Sequence, residues 1–161
     1  MAGSESDGQM QKLYLTWDDI ERMCFDIHRK MKRKHVKPDI IVGVSRGGLI
    51  PARILSDLLD NKNLSTMRVT FYSRPGVTKT KPRIAEDLST DINGKTVLIA
   101  DDVIETGKTL KLTKDYLMNR GAKKAYIAVL LKKNKKTLVE PDFYSRTTDR
   151  WIVYPWERYG D

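Results

Sequence analysis

Two adjacent acids, Asp101 and Asp102, close the apolar run Val97-Leu98-Ile99-Ala100, and Thr106-Gly107-Lys108-Thr109 follows a few residues later. An unalternating apolar run reads as a strand buried on both faces, and the periodic segment after Thr106 reads as a helix. The free amides of that helix start, with the Thr106 and Thr109 hydroxyls, form a cradle for a phosphate monoester. Gly107 lets the backbone approach the anion with no side chain in the way. Asp101 and Asp102 can accept hydrogen bonds from a sugar diol or hold a hydrated Mg²⁺. A phosphate site beside a diol site describes a ribose 5-phosphate. The Gly-Lys-Thr triplet is not a nucleotide-triphosphatase loop, because Asp102 stands five residues before Gly107, where that motif requires glycine.

The elements that must position these groups alternate along the chain. Thr16 reads as the cap of a first helix, accepting from the Asp19 amide, and Ile20, Met23, Cys24, Ile27 and Met31 form one apolar stripe. Strands are expected over 39–44, 65–72, 96–100 and 124–131, with a further one over 151–154. Helices are expected near 49–60 and 106–120, the second closed by Gly121. Residues 73–88 carry two prolines and no clear period, and read as a long loop of the kind that forms a functional lid. This alternation implies a single α/β domain, a twisted and mostly parallel sheet flanked by helices. Ligands bind beyond the carboxyl ends of such strands, so the loops at 45–48, 101–107 and 132–136 should face one crevice.

The 161 residues suit one domain, and a single cysteine excludes an internal disulfide framework. Residues 1–11 are polar, lack the blocks of a signal peptide, and are expected to form a disordered tail before a domain at 12–161. The longest apolar run, 126–131, is far short of the roughly 20 residues of a membrane helix, so a cytoplasmic protein without a membrane partner is expected. The net charge of +9 suits polyanionic ligands. Its clusters at 29–37, 74–83 and 132–136 lack interleaved aromatics, so nucleic acid is not the expected partner. With two histidines in the chain, a histidine metal site is not expected.

The run Val97–Leu110 resembles the diphosphate-sugar signature of the type I phosphoribosyltransferases: a strand, two acids, two or three residues, then Asp-Thr-Gly-x-Thr. Gly43-Val44-Ser45-Arg46-Gly47-Gly48 is similar to that family's pyrophosphate loop, and 73–88 falls where the family has its mobile catalytic loop. The resemblance runs from Leu15-Thr16-Trp17 to Trp151-Ile152-Val153-Tyr154-Pro155-Trp156-Glu157. It is closest to the short xanthine–guanine and archaeal-type purine members.

The resemblance implies transfer of the 5-phosphoribosyl group from phosphoribosyl diphosphate to a 6-oxopurine, with pyrophosphate released. Ser45, Gly47 and Gly48 would hold the pyrophosphate, Arg46 would neutralise it, and Asp101 and Asp102 would hold the diol and, through substrate and water, Mg²⁺. Thr106, Gly107, Lys108 and Thr109 would hold the 5-phosphate. In that family the peptide at Ser45-Arg46 is often a non-proline cis bond. A hood over 132–161 would hold the base, with Trp151 stacking, the Ile152 backbone at the base edge and Lys132 donating to the 6-oxo group. Glu105 stands where the family usually has Asp at purine N7, so the carboxylate is kept with one more methylene. A homodimer or homotetramer is implied. Two alternatives stay open: an adenine enzyme on the same scaffold, and a non-catalytic regulator that senses phosphoribosyl diphosphate and binds nucleic acid.

Overall fold

The computed structural model describes residues 10–78 and 80–159. In chain order the elements are β1 (Lys12–Tyr14), α1 (Trp17–Arg33), β2 (Ile40–Ser45), α2 (Leu49–Leu58), β3 (Leu64–Tyr72) and β4 (Lys81–Glu86). They continue with β5 (Thr96–Ile104), α3 (Lys108–Asn119), β6 (Lys124–Lys133), β7 (Phe143–Thr148), β8 (Trp151–Val153) and a 3₁₀ turn at Pro155–Tyr159. The main sheet has the order β4-β3-β2-β5-β6-β7. Every pairing in it is parallel except β3 with β4. This is the expected α/β arrangement, and among the described residues no helix is long and apolar enough to cross a membrane.

Helix α1 starts where the side chains dictate. Thr16 Oγ1 accepts from the Asp19 amide at 3.1 Å, and Asp19 Oδ2 accepts from the Thr16 amide at 2.9 Å, so each satisfies an amide the helix leaves free. All five residues of the expected stripe are buried. They pack with Leu98, Ala100, Ala128 and Leu130 on one face of the sheet, together with α2. The other face, built from Val97, Ile99, Ile127 and Val129, is covered by α3 and by Leu88 and Ile92. The central strands are therefore buried on both sides, which is why they show no polar alternation.

The structure corrects three expectations. Residues 81–86, assigned to the loop 73–88, form β4, an edge strand on β3. Pro82 is tolerated there because an edge strand leaves one row of amides unpaired, and alternating charges rather than alternating hydrophobics hid its period. Strand β5 runs on to Ile104, so Asp101 and Asp102 lie within it rather than in the loop beyond. Within 132–161, β7 joins the main sheet beside β6 and β8 pairs with β1. Last, the tail ends sooner than expected: Gln11 O accepts from the Trp151 amide at 2.9 Å. The remainder of the expected tail, residues 1–9, lies outside the described residues.

Candidate active site

Strands β2 and β5 are parallel neighbours, and their carboxyl ends deliver the two loops that matter. At the end of β2 the chain turns sharply into α2. The Gly48 amide donates to Val44 O at 2.8 Å, and Leu49 N to Arg46 O at 3.0 Å. The Ser45-Arg46 peptide is cis. A Cβ on Gly48 would lie 2.3 Å from Ala100 O, so this turn is pressed against β5. A Cβ on Gly47 would lie 2.3 Å from Asp102 Oδ2. The absence of a side chain at Gly47 is therefore what lets the turn sit against the Asp102 carboxylate. Arg46 is exposed at the tip.

The acid pair is partly buried and tied to its own strand. Asp101 Oδ1 accepts from the Asp102 amide at 2.9 Å, and Asp102 Oδ1 from the Val103 amide at 2.8 Å. Burial, then the neighbouring Asp102 charge, pushes the Asp101 carboxyl well above the usual range. Burial raises Asp102 as well, with the Glu157 charge adding to it and hydrogen bonds from Asp101 and the Val103 amide opposing it. Two carboxylates held this way favour a cationic or hydrogen-bond-donating ligand.

After β5, Glu105 and Thr106 turn the chain into α3 through Gly107, whose φ of 84° is left-handed and suits glycine. Asp101 and residues 103–110 line a cavity of about 130 Å³, and at the start of α3 the Lys108 amide donates to Thr106 Oγ1 at 3.4 Å. A Cβ on Gly107 would meet Leu138 N at 3.1 Å and Val139 N at 3.2 Å, and Leu138 N donates to Thr106 O at 2.9 Å. Residues 137–139 thus brace the back of this turn. Glu105 is exposed, and its Oε1 is 3.1 Å from Lys135 Nζ.

The expected base-site residues are only partly brought together. Trp151 is 58% exposed, whereas the Ile152 side chain is buried, so Ile152 has only its backbone to offer. Trp151 lines a hollow of about 850 Å³ with Met10, Gln11 and Lys12. Lys133 does not line it, and nor does Lys132. Its Nζ donates to Glu140 Oε2 at 2.6 Å and lies 5.8 Å from the Tyr144 ring centroid. Glu140 in turn accepts from Thr137, so Lys132 supports the segment behind the Gly107 turn. The lysine that points toward β8 is Lys133, whose Nζ donates to Arg150 O, next to Trp151. Adjacent residues on a strand face opposite ways, and a run of lysines gives no phase from which to choose.

The chain is similar to known proteins over most of its length. The phosphoribosyl transferase domain model matches residues 9–158. The chain is 29% identical to a hypoxanthine-guanine phosphoribosyltransferase of Aquifex aeolicus, covering 97% of this chain and 93% of the relative. It is 25% identical to a xanthine-guanine phosphoribosyltransferase of Idiomarina loihiensis, covering 92% and 89%. The crystal structure of a purine phosphoribosyltransferase from Pyrococcus horikoshii superposes with a TM-score of 0.81 at 43% identity, covering 91% of this chain and 94% of that one.

Proposed function

The chain belongs to the phosphoribosyl transferase domain family, and from that premise we propose that it is a purine salvage enzyme, transferring the 5-phosphoribosyl group of phosphoribosyl diphosphate to a 6-oxopurine. The observation that carries the reading is the placement of an acid pair on β5 between the Gly47 turn and the Gly107 turn. That order, pyrophosphate loop, diol acids, phosphate cradle, follows the substrate from one end to the other.

The α3 amides and the Thr106 and Thr109 hydroxyls receive the 5-phosphate, with Lys108 beside them. Asp101 and Asp102 receive the diol, Ser45, Gly47 and Gly48 line the pyrophosphate end, and Arg46 offsets its charge. The donor set suits Mg²⁺: hard carboxylate oxygens whose burial and mutual repulsion a cation relieves, beside a glycine that leaves Asp102 open. Among the described residues no cluster of three His, Cys, Asp or Glu side chains is arranged to hold a metal alone, which fits attachment through substrate and water. When bound, the cation neutralises the pyrophosphate and fixes its geometry against the ribose. In the transfer, the anomeric C–O bond to pyrophosphate breaks and a purine ring nitrogen forms the new C–N bond. Glu105 acts at N7, as proton acceptor or hydrogen-bond partner, and the loop after β3, with Arg74, closes over the cationic sugar.

Trp151 stacks on the base, the Ile152 backbone meets its edge, and Lys133 rather than Lys132 faces the 6-oxo group. An ammonium has three donors and no acceptor, so it favours an oxo over an amino substituent. A cytoplasmic location and assembly as a homodimer or homotetramer rest on the family resemblance. Initial rates test the base site. Lys133→Ala is expected to raise KM for hypoxanthine or guanine about tenfold, the worth of a charged hydrogen bond. Lys132→Ala is expected to leave that KM within about twofold, given that an exposed ion pair is worth little. The opposite ranking returns the base contact to Lys132.

A further inference from the structure

The lysine-rich run that closes β6 is not one undivided surface charge. Lys132 Nζ donates to Glu140 Oε2, Lys133 Nζ to Arg150 O, and Asn134 Nδ2 to Asp149 Oδ2, all partners from the C-terminal part of the chain. Lys135 reaches elsewhere. Its Nζ donates to Glu105 Oε1 at 3.1 Å, which joins the segment after β6 to the turn after β5. Among the described residues, it is the one side chain of the run that pairs with a side chain assigned to the reaction.

The contact is built rather than casual, because the backbone beneath it is docked as well. The Lys135 amide donates to Lys133 O at 2.8 Å, and the Leu138 amide to Thr106 O at 2.9 Å. Between them Thr137 is buried, and its Oγ1 pairs with Val139 O at 2.7 Å and Glu140 Oε1 at 2.9 Å. Residues 135–139 therefore meet the turn 105–107 twice, once by side chains and once by backbone. A glutamate also needs such a tether. It has one more torsion than an aspartate, and an exposed carboxylate on a longer stem has more rotamers to lose before it can act.

We propose that Lys135 is the positioning residue for Glu105: its ammonium holds Oε1, and Oε2, which has no hydrogen-bond partner, is left to meet the purine. The inference rests on the reading that Glu105 acts at N7, and deepens it. The side chains of Lys135 and Glu105 are 48% and 59% exposed, and so open a pair adds little to the fold. Its effect lies in where it holds the carboxylate. The extra methylene of Glu105 and the lysine thirty residues later form one device, a longer acceptor with an external clamp.

Initial rates with hypoxanthine or guanine, at saturating phosphoribosyl diphosphate and Mg²⁺, test this in a double-mutant cycle of Lys135→Met and Glu105→Gln. Glu105→Gln is expected to lower kcat about a hundredfold, within the range of a positioned proton acceptor. Lys135→Met is expected to lower kcat about tenfold, with the KM of the base within about twofold and the melting midpoint within about 2 °C. Lys135→Arg keeps the cation and is expected to restore kcat to within about threefold of wild type. In the Glu105→Gln background, Lys135→Met is expected to cost nothing further, because the two residues act as one. An equal loss in both backgrounds overturns the inference, as does wild-type kcat in Lys135→Met. A rise in the KM of the base at unchanged kcat overturns it too, since the lysine then binds the base directly. These three outcomes leave the role of Glu105 intact. Wild-type turnover in Glu105→Gln instead removes that role and the inference together.

Discussion

Placing a methyl group on Gly47 separates function from stability at this site. The added Cβ would fall 2.3 Å from Asp102 Oδ2, 2.5 Å from Cγ and 2.8 Å from Oδ1. Ordinary contact begins near 3.4 Å, so the carboxylate must retreat by about 1 Å. It can do so by side-chain rotation, because every atom the new methyl meets belongs to one carboxylate. Gly47 is not among the left-handed glycines, so alanine suits its backbone and stiffens the unfolded chain slightly. Stability should change by no more than about 1 kcal/mol, or about 4 °C for a chain of this size. A 1 Å displacement of a group that positions substrate costs about 10²-fold, or about 2.7 kcal/mol of transition-state stabilisation. Gly47→Ala should therefore lower kcat/KM for phosphoribosyl diphosphate about a hundredfold in initial-rate assays at saturating base, while melting near the wild-type temperature. Gly48→Ala is the contrast. Its Cβ would meet Ala100 O at 2.3 Å, Val44 O at 2.7 Å and Val44 N at 2.8 Å, all backbone atoms that cannot rotate aside. It should lose about 3 kcal/mol of stability or more through overpacking. If Gly47→Ala retains wild-type kcat/KM, Asp102 does not position the substrate and the reasoning is wrong.

Two further predictions test the frame around the site. Asp19→Asn removes a carboxylate that the Thr16 backbone hydrogen bond holds below its usual range. A lowered carboxylate stabilises the fold above its unfolded pKa and ceases to do so as pH falls through the lowered one. The variant should thus melt below wild type at pH 7, by the several degrees that a loss of about 1 kcal/mol implies, and the gap should close in acid; a gap independent of pH contradicts the capping role. Cys24 is a buried thiol that burial pushes up to about 12. Iodoacetamide at pH 8 should leave it unmodified in the native protein and label it in denaturant, as mass spectrometry would read; native labelling contradicts its place in the core.

The acid pair, the turn glycine and the helix start were readable in the sequence because they are local. Strand, acids, turn glycine and helix start lie within 97–110, and each residue type has one conformational reason to be there. The capping pair Thr16 and Asp19 and the α1 stripe were readable for the same reason. Elements defined by their partners were not. The three residues of β1 become a strand only by pairing with β8, and β4 only by lying on β3. The base side depends on which face each residue of β6 presents. Lys132 and Lys133 are chemically the same in the sequence, and Glu140 and Arg150 O tell them apart only after folding.

Nucleotide formation from phosphoribosyl diphosphate and Mg²⁺, measured separately with hypoxanthine, guanine, xanthine, adenine and uracil, is the most direct test of the central claim. Turnover of one or more oxopurines is expected, with adenine at least about a hundredfold poorer, because an ammonium has no acceptor to offer a 6-amino group. Preference for adenine would contradict the lysine base site and leave the phosphate and diol assignments standing. Tight binding of the sugar diphosphate with no turnover of any base would contradict the enzyme reading itself.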